Sequence, residues 1–115
     1  MIKPSILHGG TYSDPSVCYK WSEVVAGSEC GFLECSKMDA VSIQVVGMFS
    51  GGKLELHGSN DGVNFFPLEN ESGNKIYISS AGLDSVKDYV RFVKPVLVGG
   101  DVHSKLDIVI YTRGV

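Results

Sequence analysis

The segment Leu54–Leu68, LELHGSNDGVNFFPL, constrains the fold more than any other part of the chain. Leu54 and Leu56 alternate with Lys53, Glu55 and His57. That is the two-residue period of a strand with one buried face. Gly58-Ser59-Asn60-Asp61-Gly62 follows, a run of residues that accept positive φ or bond their own backbone. Asp61-Gly62 between two such runs is a hairpin signal. The apolar run Val63–Leu68, with Phe65 and Phe66, completes an antiparallel β unit at the centre of the protein. The unit holds no reactive constellation, which points to a module that binds or supports and not to an enzyme.

The same period recurs along the chain. Cys18–Val25 reads as a short strand anchored by Trp21 and ended by Ala26-Gly27-Ser28, and Phe32–Cys35 reads as another. Met38–Phe49 is the longest apolar stretch. Its β-branched residues and Gly47 favour a strand over a helix. Val41, Ile43 and Val45 alternate, then Val46 and Met48 take over the apolar phase, which predicts a β-bulge near Val45-Val46. Ile76 and Ile78 alternate with Lys75 and Tyr77. Ser79–Lys87 reads as a single helical turn or an ordered loop. Val90, Phe92, Val96 and Val98 mark one face of a further strand, with an edge or bulge at Pro95, which has no amide proton for a ladder. In the last strand Leu106, Ile108 and Ile110 point inward. Fourteen glycines against four prolines supply the turns. The pattern predicts an all-β fold, an antiparallel sandwich or barrel of seven or eight short strands, with at most one short helical turn. Met1–Ser16 is expected to be an N-terminal arm or irregular segment, and 17–115 a single β domain.

Composition narrows the function. The 115 residues suit one domain with a core of its own. The formal net charge of −3 and the lack of a basic stripe argue against nucleic acid as a partner. The densest basic group, Lys87, Arg91 and Lys94, is interleaved with Asp84 and Asp88 and reads as a solvated mixed-charge surface. No run approaches the ~20 apolar residues of a membrane helix. The N-terminal residues lack the apolar core of a signal peptide. Synthesis in the cytoplasm is therefore expected, with no membrane partner. Cys18, Cys30 and Cys35 are an odd number and cannot all pair within the chain. Cys30 and Cys35 have no second ligand pair, so free thiols are expected and a zinc site is not.

Several motifs resemble sites without completing one. Gly47–Lys53, GMFSGGK, matches the first seven positions of a phosphate-binding loop, but Leu54 stands where a hydroxyl should hold magnesium. A strand follows where a helix should start. A glycine hairpin accounts for the same residues. His8, His57 and His103 are far apart and read as surface residues, and no nucleophile elbow is present. Ser59-Asn60-Asp61-Gly62 offers too few oxygens for calcium. No catalytic residue, metal ligand or cofactor is expected. Tyr77 and Tyr111 fall on the outward phase of their strands, where aromatic residues can serve an interface.

Leu54–Leu68, Gly73, the strand Ile76–Ser79, SAGL at Ser80–Leu83 and YVRFVKPVLVGGD at Tyr89–Asp101 together resemble the decoration (cement) proteins of tailed-bacteriophage capsids. The resemblance spans Val41–Arg113. It implies a jelly-roll-like β-sandwich similar to carbohydrate-binding modules. It also implies a structural virion protein, on the outer capsid surface, that stabilises the shell by bridging subunits of the major capsid protein. Such a role is compatible with self-association as a dimer or trimer. The N-terminal arm would then lie against capsid subunits, with Ile2, Ile6, Tyr12 and Trp21 as contacts. The alternative is a carbohydrate-binding module on a phage particle or fibre, because the GSNDG turn before an aromatic is also similar to sugar-binding sandwiches. Those usually carry Trp after the turn, where this chain has Phe65.

Overall fold

Leu106, Ile108 and Ile110 are all fully buried, so the final strand carries one uninterrupted core face. This strand, β10 (Lys105–Gly114), lies at the centre of one of two antiparallel sheets. The structure is a computed structural model and describes residues 1–114. Preceding β10 are β1 (Ser5–His8), β2 (Val17–Val25), β3 (Leu33–Glu34), β4 (Met38–Met48) and β5 (Gly52–Ser59). Then come β6 (Phe66–Pro67), β7 (Tyr77–Ile78), β8 (Gly82–Ser85) and β9 (Phe92–Gly99). One sheet has the order β1-β2-β10-β4-β8. The other has β3-β9-β5-β6, with β7 also paired to β5. From β2 to β5 each strand crosses to the opposite sheet, and the crossing resumes from β7 to β10. That interleaving is a jelly-roll sandwich.

The inward faces of both sheets build one core. Trp21, Ile43, Val45, Leu54, Leu56, Ile76, Val93 and the β10 triplet belong to it. Each fully buried aliphatic side chain contributes about 1.5–3 kcal/mol. The expected faces of Leu54/Leu56, Ile76/Ile78 and the β10 triplet are the observed ones.

Other expectations are corrected. There are ten strands among the described residues, because the N-terminal segment and the segment after Ser79 each contribute a short strand, β1 and β8, that the sequence period does not mark. The segment expected to form a helical turn or loop contains β8, which pairs β4 along Ser42–Val45. Val46 is exposed and Val45 fully buried, so the phase of β4 does not slip there. The bulge sits at Val41, where Tyr111 and Thr112 pair with Ser42 and Ala40. A second bulge lies in β2: Leu106 pairs Val24 but Ile108 pairs Trp21. Glu23 adopts φ 55° there, and its amide donates to Asp107 Oδ1 at 3.0 Å. In β9 the inward residues are Val93, Pro95 and Leu97, and the shared face of Phe92, Val96 and Val98 is the outward one. Both phases of this strand are apolar, so alternation could not choose between them. Pro95 pairs Leu56 of β5 and lies beyond the reach of the two-residue β3 on its other side.

Phe49-Ser50-Gly51-Gly52 is a turn, but not a hairpin: β4 and β5 belong to different sheets. Ser50 (φ 45°) and Gly51 (φ 82°) reverse the chain, and the Gly52 amide donates to Phe49 O at 2.7 Å. The corner is tied to the β9–β10 corner. Ser50 Oγ donates to Asp101 Oδ1 at 2.6 Å, and Ser104 Oγ donates to Phe49 O at 2.9 Å.

The N-terminal segment is applied to the body as an edge. Ile2 forms a parallel bridge with Cys30, and β1 pairs β2 with a register shift between Ile6 and His8. All four β1 residues are exposed.

Two stability measurements follow from this packing. Trp21→Ala should lower unfolding free energy by about 3–5 kcal/mol in urea denaturation, as for other buried large-to-Ala changes. An unchanged midpoint would contradict its core position. At Gly47 (φ 125°) a Cβ would collide with the Lys105 carbonyl oxygen of the paired strand. Gly47→Ala should therefore cost about 1–3 kcal/mol or more.

Candidate functional site

Four residues were expected to contact a partner, and their burial separates them. Tyr12 is fully exposed and Ile6 is 63% exposed. Ile2 is half-buried and packs against the core; its amide donates to Glu29 O at 2.8 Å. Trp21 is a correction. It has no exposed surface, and its indole Nε1–H donates to Gly31 O at 3.0 Å. It acts as a core anchor and has nothing to offer a partner. Met1, Ile6, Leu7 and Tyr12 thus form an exposed apolar stretch of the N-terminal segment. The tip of that segment is held locally: Asp14 N donates to Thr11 Oγ1 at 3.0 Å and Ser16 N to Asp14 Oδ1 at 3.1 Å.

The Asp61 turn is a built loop between β5 and β6. It is wider than a two-residue hairpin because Asp61 organises it. Its Oδ1 accepts from the amides of Val63 and Asn64, both at 2.8 Å, and from Ser59 Oγ at 2.8 Å. Its Oδ2 accepts from Asn64 Nδ2 at 2.8 Å. Ser59 Oγ accepts in turn from the Gly62 amide at 2.9 Å. The amides of Asn64 and Val63, with the Asn64 and Ser59 side chains, hold the Asp61 carboxyl well below the usual carboxylate range. Beside the loop lies a shallow open cleft of about 530 Å³, lined by Asn60, Asn64, Phe66, Leu68 and Val90 among others.

On β5, Glu55 is buried yet ionised. Burial alone would raise its pKa. Hydrogen bonds and charge from Lys75 and His57 outweigh burial and hold the carboxyl below its ordinary value. Lys75 Nζ lies 2.8 Å from Oε2, and His57 Nε2 lies 2.9 Å from Oε1. His57 is therefore half-buried and engaged, not a loose surface histidine. Cys30 and Cys35 are free and buried; burial first, then neighbouring carboxylates, pushes each thiol up to about 11. At neutral pH such thiols stay protonated and act as small apolar core residues.

The outer face of the β3-β9-β5 sheet carries a feature that sequence reading missed. Register places Phe92 opposite Glu34 and Ser59, Lys94 opposite His57, Val96 opposite Glu55, and Val98 opposite Lys53. Glu55 in turn faces Tyr77. All these side chains share the outward face. Phe32, half-exposed, stacks on Phe65 at 6.2 Å and meets the edge of Phe92 at 5.0 Å. Cations cap the rings: Lys94 Nζ is 4.3 Å from the Phe65 centroid and Arg91 Cζ is 5.7 Å from that of Phe92. Lys53 and Lys75 stand 5.8 and 5.7 Å from the Tyr77 centroid. Tyr77 was expected on the outward phase and is half-exposed there. The cluster escaped sequence reading because Phe32, Phe65 and Phe92 are far apart in the chain.

The expected mixed-charge surface has different partners from those that interleaving suggests. Lys87 pairs with Glu69 at 3.6 Å and Arg91 with Glu34 at 3.1 Å, not with Asp84 and Asp88. The phosphate-loop look-alike forms the β4–β5 corner described above.

No family model, curated protein or solved structure matches the chain.

The Asp61 network links loop order to pH. Its folded pKa is depressed, so its contribution is present above the unfolded value of about 3.9 and is lost as pH falls below it. Asp61→Asn should be less stable than the wild type at pH 7, and the gap should narrow below about pH 4. Urea midpoints at pH 7 and pH 3 measure this; a gap that widens on acidification would contradict it.

Proposed function

We propose that the protein is a structural virion component that binds the outer surface of an assembled phage capsid and stabilises it by bridging subunits of the major capsid protein. The observation that supports this reading best is the N-terminal segment. It is an edge strand with both faces exposed, carries Ile6, Leu7 and Tyr12 outward, and is tied to a rigid sandwich. An edge strand of this kind offers unpaired backbone groups and apolar side chains together, which is the chemistry of strand addition and surface adhesion. The perturbed groups fit an adhesive body too. Asp61 and Asp101 brace turns, Glu55 braces a strand, and the two thiols fill core space. A cement protein acts by binding the assembled shell in preference to dissociated subunits, so occupancy converts into shell stability by mass action.

Glycan binding is the second reading. The specific feature in its favour is the cleft beside the Asp61 loop, where Phe66 is 66% exposed next to Asn60 and Asn64. Asp61 itself is fully engaged within the turn, which leaves few polar groups to grip a sugar. A glycan array on the purified protein tests it.

Mixing the protein with undecorated capsids and imaging the particles tests the first reading. Density at regular outer positions is expected, with a higher temperature of shell disruption. Ile6→Ser/Tyr12→Ser should lower occupancy at least threefold, whereas Leu83→Ser, on the opposite edge of the same sheet, should not. Bare particles at saturating protein would remove the reading.

A further inference from the structure

We propose that the outer face of the β3-β9-β5 sheet docks onto a carboxylate-rich protein surface. The inference rests on the reading of the chain as an adhesive module and adds the chemistry of what it adheres to.

Charge is segregated between the two sheets. On the outer face of β3-β9-β5, four cations (Lys53, Lys75, Arg91 and Lys94) stand against three carboxylates, Glu34, Glu55 and, beside Lys94 at the β9 edge, Glu29. That is a surplus of one positive charge on a chain of formal net charge −3, which leaves −4 for the rest of the molecule. Among the described residues, neither Lys53 nor Lys94 has a carboxylate within 4.0 Å. Their ammonium groups rest over aromatic rings instead. On the opposite sheet the corresponding lysines are matched: Lys20 by Asp107 at 3.8 Å and Lys105 by Glu23 at 3.4 Å. A ring holds an ammonium in place and leaves its charge unneutralised. Lys53 and Lys94 are thus positioned cations awaiting an anion.

The surroundings of these cations select the kind of anion. The face alternates cation with apolar group: Phe32 and Phe65 flank Lys94, while Tyr77 and Val98 flank Lys53. Protein interfaces join aromatic anchors to paired charges in this way. A nucleic acid would ask for a continuous run of phosphate-binding cations, and the acidic remainder of the molecule would repel it. The size also fits one modest contact. Two eight-residue strands about 27 Å long and three two-residue strands, each about 4.8 Å wide, give a face of about 350 Å². A standard interface buries about 800 Å² per partner. The face alone therefore supports a weak, salt-sensitive contact that gains strength when the N-terminal edge engages the same partner.

Retention of the full-length protein on immobilised poly-L-glutamate, with heparin and duplex DNA resins in parallel, tests the proposal. At 20–50 mM salt the wild type should be retained on polyglutamate and released near physiological ionic strength. Lys53→Glu/Lys94→Glu should reduce retention at least tenfold, and Phe32→Ser about threefold. Lys20→Glu/Lys105→Glu makes the same change of net charge on the other sheet and should leave at least half of the retention. Equal loss in both double variants, no retention of the wild type, or stronger retention on heparin or DNA would each overturn it. Thermal melts of every variant show that the fold is intact. The capsid mixture separates this inference from the function above. Normal shell occupancy by Lys53→Glu/Lys94→Glu overturns the docking face alone. Bare shells with polyglutamate retention intact overturn only the capsid role.

Discussion

Everything in this molecule depends on two apolar strand faces being taken out of water together. Leu106, Ile108 and Ile110 of β10 and Leu54 and Leu56 of β5 are fully buried members of one core. Each strand is the hub of its sheet: β10 pairs β2 and β4, and β5 pairs β9, β6 and β7. Registering these two hubs orients every other element. A one-residue slip in either would turn the leucines and isoleucines to solvent and the charged residues inward. The corner contacts of Ser50 and Ser104 then hold two crossings between the sheets at a fixed separation.

Rigidity is what makes the surface useful. A platform of rings and cations keeps its spacing only if the strands beneath it do not shift. Glu55 serves that end from the outward side of β5, gripping Lys75 and His57 at once. Asp61 serves it at the loop that carries Phe65 to Phe32. Both carboxylates are held ionised by donors already in place, so ordering is completed on folding and not on binding. Preorganisation of this kind lowers the entropy cost of docking. The N-terminal edge is the opposite case. Its tip is braced by short local hydrogen bonds at Thr11 and Asp14, and its side chains lie open to solvent.

Much of the sandwich was legible in the chain itself. Strict alternation identified β5, β10 and the Ile76/Ile78 pair with the correct inward residues, because polar neighbours leave only one face that can be buried. It failed where both phases are apolar. In β9 the choice between Phe92/Val96 and Val93/Leu97 is made by the pairing with β5 and by no local preference. Trp21 shows the same limit: its size marked it as an anchor, but the sequence could not say whether it anchors a core or a partner. Bulges were legible in kind and not in place. The one at Glu23 depends on Asp107, 84 positions away, supplying an acceptor for its amide.

The sequence by itself determined that this chain is all-β, with at least one thiol unpaired within the chain and turns at its glycines. Burial of alternating side chains and the φ freedom of glycine are local properties that a run of residues states directly. Only the tertiary structure decided which aromatic residues face outward, that Lys53 and Lys94 rest over rings instead of carboxylates, and that Trp21 is enclosed. Those outcomes depend on strands distant in sequence meeting in one register, and register is set by the whole core at once.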